Sequence, residues 1–541
     1  MSLVIKNGRV FDPLNNVHGE KMDIFVAEGK IVEESQAKAP QEIDASGRIV
    51  FPGGVEVHTH IAGSKVNFAR IMRPEDHRKD VIKKTPYKRS GTGYTVPSTF
   101  TIGYRYAEMG YTTVWEAAAP PLGARHTHEE LMDIPIVDKG FFVLMGSNYF
   151  VLKHVEEGNF EALKNFVAWL LDATKGYAVK IVNPGGVESW KWGKNVTSLD
   201  DTVQKFEVTP REILINLAKA VDELHLPHSI HVHCNNLGSP GNYEITKETI
   251  GALDPYRRHI THIQFNSYAG EDWGSFSSGG SEIAKVLNST DNVTCDAGQV
   301  IFGDATTMTA DGPWQHTLFK LSGNKWANSD VEMETGAGIV PYKFKKKNFV
   351  NAIQWTIGLE VLLLTEDPYK VFMTTDHPNA GPFYFYPQVI QLLMSKSSRD
   401  DMLSQIHDKA KERSVLESID REYTLSDVAV VTRAGPARAL GTEHKGHLGV
   451  GADADISIYD FHEDAIEKSF KKAVYTIKDG YVVVKDGEVV KDYMGRTYCL
   501  DVKGELSDEE KEIFTKYYTV QLANYAVEDV YLPRKEVVPC R

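Results

Sequence analysis

Eight short apolar runs, each of strand length and separated by helix-patterned stretches, recur through the middle of the sequence. They are Val55–His60, Thr112–Ala117, Phe141–Ser147, Ala178–Asn183, Ser229–His233, Ile260–Phe265, Val293–Ala297 and Phe372–Asp376. Strands alternating with helices demand right-handed crossovers and a parallel sheet, and eight such units close into a (β/α)8 barrel. Two of the intervening helices are well marked. Thr209-Pro210-Arg211-Glu212 supplies an N-cap, a proline in the first turn and a capping-box glutamate ahead of Ile213–Leu224. Phe160, Leu163, Phe166, Val167, Leu170 and Leu171 share one helical face, with Gly176 as the stop, and these residues read as core packing.

The two chain ends have a different texture. Val4–Phe11 and Ile24–Val32 are short strands with Asn-Gly and Glu-Gly turn signals, and the pattern returns in Asp455–Tyr459 and Val474–Val484. The expected organisation is residues 1–52 and 436–541 as the halves of a small β-sandwich domain, the second with a tail. Residues 53–435 form the barrel. That region exceeds the usual ~250 residues, and the excess follows strand ends: Ala62 to about Met109, Asn183 to about Val208 and Gly298 to about Lys347. Loops after strands lie on the catalytic face, so these insertions should wall or cover a pocket. The stretch Gly274–Gly280 reads as a mobile loop, too irregular for a phosphate cradle.

Composition narrows the function classes. Acidic residues exceed basic ones by 14, 74 against 60, which disfavours a general nucleic-acid binder. Cys234, Cys295, Cys499 and Cys540 make no Cys-x-x-Cys pair, so neither an iron–sulfur cluster nor a disulfide framework is expected. There is no GxxxxGK[ST] and no strand-linked GxGxxG. No apolar stretch reaches ~18 residues and the start lacks a signal-peptide block, so no membrane span and a cytoplasmic location are expected.

The chemistry-bearing residues sit at the C-terminal ends of the runs. His58 and His60 are two apart on the first strand, so both imidazoles face one way and can reach one metal. Lys180 is a lysine inside an apolar strand; it serves either a structural ion pair or, carbamylated by CO2, a carboxylate able to bridge two metals. On the fifth strand His231 and His233 face the same way, and His233, nearer the strand end, is the better ligand. On the sixth, His262 is favoured over His259 by the same argument. Asp376, ending the eighth, can bind a metal and shuttle a proton as the catalytic residue. Two basic stretches, Lys83–Arg89 and Lys343–Lys347, read first as solvated faces and alternatively as contacts for an acidic ligand.

This pattern, His-x-His on strand one, Lys on four, His on five and six and Asp on eight, resembles the amidohydrolase superfamily. The resemblance implies two divalent metal ions, usually zinc, held by His58, His60, Lys180, His233, His262 and Asp376, with carbamylated Lys180 (N6-carboxylysine) as the bridge. A closer resemblance runs through Ile71–Arg78, Lys180–Gly186, His231–Asn236 and Thr374–Asn379, which are similar to the A-subunit family of formylmethanofuran dehydrogenase. Its sister family is the A-subunit of the bacterial formyltransferase/hydrolase complex. Glu56 precedes the His-x-His where an Asp is common, and no Arg follows it, which argues against dihydroorotate chemistry. The resemblance implies reversible condensation of formate with the amine of methanofuran, a step of one-carbon metabolism and methanogenesis. Formate would come from redox partner subunits carrying Mo or W and iron–sulfur centres. The alternatives are the hydrolase component of the bacterial complex, a freestanding hydrolase of N-acyl or cyclic amides, and a catalytically dead scaffold.

Overall fold

The computed structural model describes residues 2–38, 40–329, 337–518 and 520–541. The eight runs become parallel barrel strands: β1 (Gly54–Thr59), β2 (Tyr111–Ala119), β3 (Asp138–Leu144), β4 (Ala178–Val182), β5 (Ile230–His233), β6 (Arg258–Ile260), β7 (Val293–Asp296) and β8 (Val371–Phe372). Neighbours in sequence are neighbours in the sheet. Closure is made just past β8, where Thr59 bridges to His377 in parallel and His60 N–H donates to the His377 carbonyl at 2.7 Å. The register puts Lys180 beside His231, His231 beside His259 and His259 beside Thr294, so these side chains share one layer of the barrel.

Two strands depart from the sequence reading. The sixth ends at Ile260. His262 then turns the chain with φ of 35°, and Ile263–Asn266 is a single 3-10 turn. Ile263 and Phe265 are buried from that turn, so their apolarity reads like that of a strand. The eighth has a ladder of only two residues. Beyond it Gln299 N–H still donates to the Thr374 carbonyl at 2.8 Å, carrying the backbone on to Asp376.

The chain ends build a separate mixed sheet. Ser2–Asp12 lies at its centre between Val17–Ala27 and Ile49–Pro52, and Ile456–Tyr459 adds to the latter, followed by Tyr475–Lys478 and Tyr481–Lys485. Leu3, Ile5, Val26, Val50, Ile456 and Ile477 form its core. The C-terminal tail goes elsewhere: Thr497–Asp501 pairs through Thr497 with Lys139 of β3, and Lys535–Pro539 pairs with Thr497–Asp501, extending the barrel sheet. Where sheet meets barrel, Asp138, Asp453, Asp455 and Asp479 are buried together. Each is met by a cation: Lys478 reaches Asp138 at 2.9 Å, Lys445 reaches Asp455 at 2.6 Å, and Arg496 reaches Asp453 at 2.9 Å and Asp479 at 2.7 Å. Removing one partner from such a buried set leaves an uncompensated charge.

The insertions roof the C-terminal mouth. After β1, helix Ser64–Met72 presents Val66 and Ala69 to Met308 and Ile339 of an antiparallel strand pair inserted after β7, Gly303–Thr309 with Ala337–Phe344. Helix Gly312–Ser322 is held at its start by Asp311, whose carboxylate accepts from Trp314 N–H at 3.1 Å. The stretch Gly274–Gly280 is a hairpin element in the structure: Ser277–Ser278 pairs with Tyr268–Ala269, and Phe276 is buried against Tyr268. Of the basic stretches, Lys88 pairs with Glu108 at 3.1 Å and Glu488 at 2.9 Å. Glu108 lies just before β2 begins, at the end of the barrel opposite the mouth. Lys346 and Lys347 donate to Gln405 Oε1 and the Ile406 carbonyl, tying the insertion's return to the barrel wall. Among the described residues no helix is long and apolar enough to cross a membrane.

Candidate active site

His58, His60, Lys180, His233, His262 and Asp376 all line one cavity at the mouth of the barrel. It is narrow, about 60 Å³, and its outer wall is apolar: Leu144 and Val182 from strands, Leu237 and Phe265 from loops, and Trp314, Leu318 and Phe344 from the β7 insertion. Asp376 is the meeting point. Its Oδ1 lies 2.9 Å from His58 Nε2 and 3.2 Å from His60 Nε2. The rings of His58 and His262 are 5.4 Å apart and those of His233 and His262 4.7 Å. Three residues just past strand ends, Asn183, His262 and Asp376, have φ of 41°, 35° and 46°. Non-glycine residues in this region carry strain that the surrounding structure must hold, and such positions cluster at functional sites.

Each ring is oriented from behind. His60 Nδ1 lies 3.0 Å from Glu116 Oε1, and the same carboxylate takes Lys65 Nζ at 2.8 Å and Ile61 N–H at 2.7 Å. His233 Nε2 lies 3.0 Å from Asp311 Oδ2, and Asn183 donates to the other oxygen of Asp311 at 3.1 Å. His58 Nδ1 is 2.9 Å from His231 Nε2 and touches Thr261 Oγ1. His259 is turned away, bonded to Asp296 at 3.1 Å and Thr294 at 2.9 Å. His233 and His262 face the cavity, and His231 and His259 do not line it.

Burial sets the charge state. It drops the Lys180 amine to about 7, so a large fraction is neutral near neutral pH. It also holds His233 below its ordinary value and His262 well below, leaving both neutral. Burial would raise Asp376 and Glu116, but hydrogen bonds and charges that favour their ionised forms win. His58 and His60 hold Asp376 well below the usual carboxylate range, and Lys65 and His60 bring Glu116 to about 2. For His58 burial pulls downward and is outweighed by Asp296 and Asp376, so its pKa is raised. Behind it Glu56, lifted by burial to about 8, is protonated near neutral pH and contacts Tyr386.

The donor set fits a divalent metal. His58, His60 and Asp376 each bring one ligand atom within 4.8 Å of the others. A tetrahedral shell of ~2.0–2.1 Å ligands has edges of about 3.3 Å, close to the separations found here. Among the described residues Lys180 Nζ and His262 Nδ1 are buried without a hydrogen-bond partner, and His58 Nε2 is not aligned as a hydrogen bond to Asp376. Buried polar atoms left unpaired need a further partner. A second group, His58, His231 and Asp296, also lies within 4.8 Å. Glu116, Asp311 and Asp296 were not singled out from sequence. Glu116 shows the signal that marks Lys180, a charge within an apolar strand, whereas Asp311 lies in an irregular insertion with nothing local to mark it.

A model of the amidohydrolase family matches residues 41–484. The chain belongs to that family, and with this site it is a metal-dependent amidohydrolase. Protein FwdA of Methanocaldococcus jannaschii is 51% identical over 555 residues, covering 98% of this chain and 97% of that protein. The A-subunit of the formyltransferase/hydrolase complex Fhc of Methylorubrum extorquens is 37% identical over 99% of both. A crystal structure of that complex, FhcABCD with methylofuran, matches with a TM-score of 0.93 and 36% identity over 100% of both chains. FwdA, a formylmethanofuran dehydrogenase A-subunit, and the Fhc A-subunit represent the family and the sister family that the sequence motifs resemble.

Proposed function

We propose that this chain is the amide-bond subunit of a formylmethanofuran-type complex. It joins formate to the primary amine of a methanofuran-type carrier, giving a formamide and water, and it runs the hydrolysis in reverse. The observation that carries the reading is full-length likeness, at a TM-score of 0.93, to one component of a complex crystallised with methylofuran. The six cavity residues support it.

His58, His60 and Asp376 would hold one divalent ion and His233 and His262 a second, with Lys180 between them. The neutral Lys180 amine is the form that attacks CO2: the N–C bond forms as one C=O bond opens onto oxygen, the amine proton passes to water, and the resulting carbamate would supply a carboxylate ligand to the metal ions. Two such ions, when bound, polarise a formyl oxygen and lower the pKa of water toward ~7. The chain's own residues do the rest. Asp376 Oδ takes the water proton and passes it to the departing amine nitrogen; in condensation the transfer reverses. Glu116 and Asp311 fix the rings of His60 and His233. Trp314, Leu318 and Phe344 exclude water and give the carrier's apolar part a seat. No electron moves in this step, so formate is supplied by redox partner subunits with Mo or W and iron–sulfur centres. The division into 1–52, 53–435 and 436–541 belongs to the same reading.

A second reading, the hydrolase component of a bacterial formyltransferase/hydrolase complex, is favoured by the 37% identity to the Fhc protein. It differs only in carrier and partners. The test is to purify the native complex with its metals and supply the N-formyl carrier. Release of formate and free amine, and its reversal at high formate, is expected. A chain that purifies alone and turns over only cyclic amides would overturn both readings.

A further inference from the structure

Three fully buried histidine rings run in a line from the cavity to the backbone at the closed end of the barrel. His58 Nδ1 is 2.9 Å from His231 Nε2, His231 Nδ1 is 3.0 Å from His228 Nε2, and His228 Nδ1 is 2.7 Å from the Ala439 carbonyl. His231 and His228 are 0% exposed, and among the described residues neither has a carboxylate in hydrogen-bond contact. Ala439 lies in helix Gly435–Leu440, on the segment that leaves the barrel for the terminal sheet.

A carbonyl oxygen only accepts, and that fixes every bond in the line. His228 must carry its proton on Nδ1 to donate to Ala439. A neutral imidazole has one N–H, so His228 Nε2 is an acceptor and His231 must donate from Nδ1. His231 Nε2 is then an acceptor in turn, and His58 must donate from Nδ1. We infer that the Ala439 carbonyl, acting through His228 and His231, keeps a proton on Nδ1 of His58, so that Nε2 is the nitrogen left to act as a ligand at the cavity beside Asp376. His228 and His231 are positioning residues for a metal ligand. Two other neighbours agree with this polarity: Asp296, whose oxygen lies 3.5 Å from His58 Nδ1, only accepts, and Thr261 Oγ1 can accept. The opposite tautomer would place N–H on the atom that faces the cavity and leave a buried lone pair pointing at His231. The second donor group, His58, His231 and Asp296, is on this account a set of orienting partners.

The inference rests on the ligand role proposed for His58, and the experiment separates the two. In protein labelled with 15N-histidine, long-range 1H–15N correlation reads each tautomer directly, with His228→Gln and His231→Gln used for assignment. Neutral Nδ1–H rings are expected at both His228 and His231. A ring carrying Nε2–H, or a cationic ring, at either position overturns the inference. Metal retention against a chelator gives the second readout. His231→Gln keeps an acceptor toward His58 and a donor toward His228, and should hold metal within about threefold of the parent. His231→Leu removes both and should lose about 10–100-fold in metal affinity. Equal retention by His231→Leu and the parent overturns the inference. Should the parent itself bind no metal, the ligand role of His58 fails, and the nitrogen spectra alone judge the tautomer line.

Discussion

Removing the charge of Glu116 gives the most informative single substitution, because one carboxylate serves two purposes there. It accepts from Lys65 and from the backbone of Ile61, and it lies 3.0 Å from Nδ1 of His60. Those partners bring its pKa from the ordinary 4.5 to about 2 despite complete burial. That difference corresponds to about 3 kcal/mol of folded-state stabilisation at neutral pH. Because the folded pKa is the lower one, this stability is fully present above about pH 4.5 and is lost as pH falls through about 2. Glu116→Gln should therefore destabilise the protein by about 3 kcal/mol at pH 7. For a chain of this length that is a melting-temperature drop of about 3 °C. It should also weaken metal retention about 10–100-fold, since His60 loses the acceptor that orients it. Lys65→Met combined with Glu116→Gln removes the stranded ammonium and should recover part of the stability but none of the metal affinity. The assay is a thermal melt of the metal-free protein paired with chelator competition on the loaded one. Stability unchanged within about 0.5 kcal/mol, or a double variant equal to the sum of the singles, would mean that Glu116 does not hold Lys65 and His60 in this way.

Other expectations follow from the same geometry. Asp376→Asn should lower kcat about 10²–10⁴-fold in formamide hydrolysis, as loss of the proton shuttle demands; steady-state kinetics reads it. Trp314→Ala should raise KM for the amine carrier severalfold with little change in kcat, because the indole lines the cavity without touching the reacting atoms. Burial lowers His128 from the ordinary 6.5 to about 4. Its folded pKa is the lower one, so stability is full above about pH 6.5 and falls on acidification. The loss reaches about 2 kcal/mol at pH 5, and His128→Gln should flatten that part of a stability-against-pH curve.

Much of the fold was legible because barrel strands carry their signal locally. Each run between Val55 and Asp376 is apolar and bounded, and strand order follows sequence order. The sixth run misled because Ile263 and Phe265 are buried from a turn, and apolarity records burial whatever the backbone does. The two-residue period of a strand puts His58 with His60 and His231 with His233, but His262 lies past the end of its strand, in a turn that no strand period describes. What sequence could not reveal is contact across distance. Asp311 reaches His233 from an insertion 78 residues away in the chain, and His228 depends on a carbonyl 211 residues away. The basic stretches show the converse. Lys88, Lys346 and Lys347 are engaged in holding the fold, whereas Lys83, Lys84, Lys343 and Lys345 are exposed, as a solvated face would be.

The proposed site holds two metal ions with a modified Lys180 as their shared ligand. Metal content per chain, measured with intact mass of the native complex before and after acidification, tests it most directly. The account predicts two divalent ions per chain, a mass loss equal to one CO2 on acidification, and neither in Lys180→Ala. A native protein with no bound metal, or a Lys180→Ala variant with full metal content and full formamide hydrolysis, would contradict it.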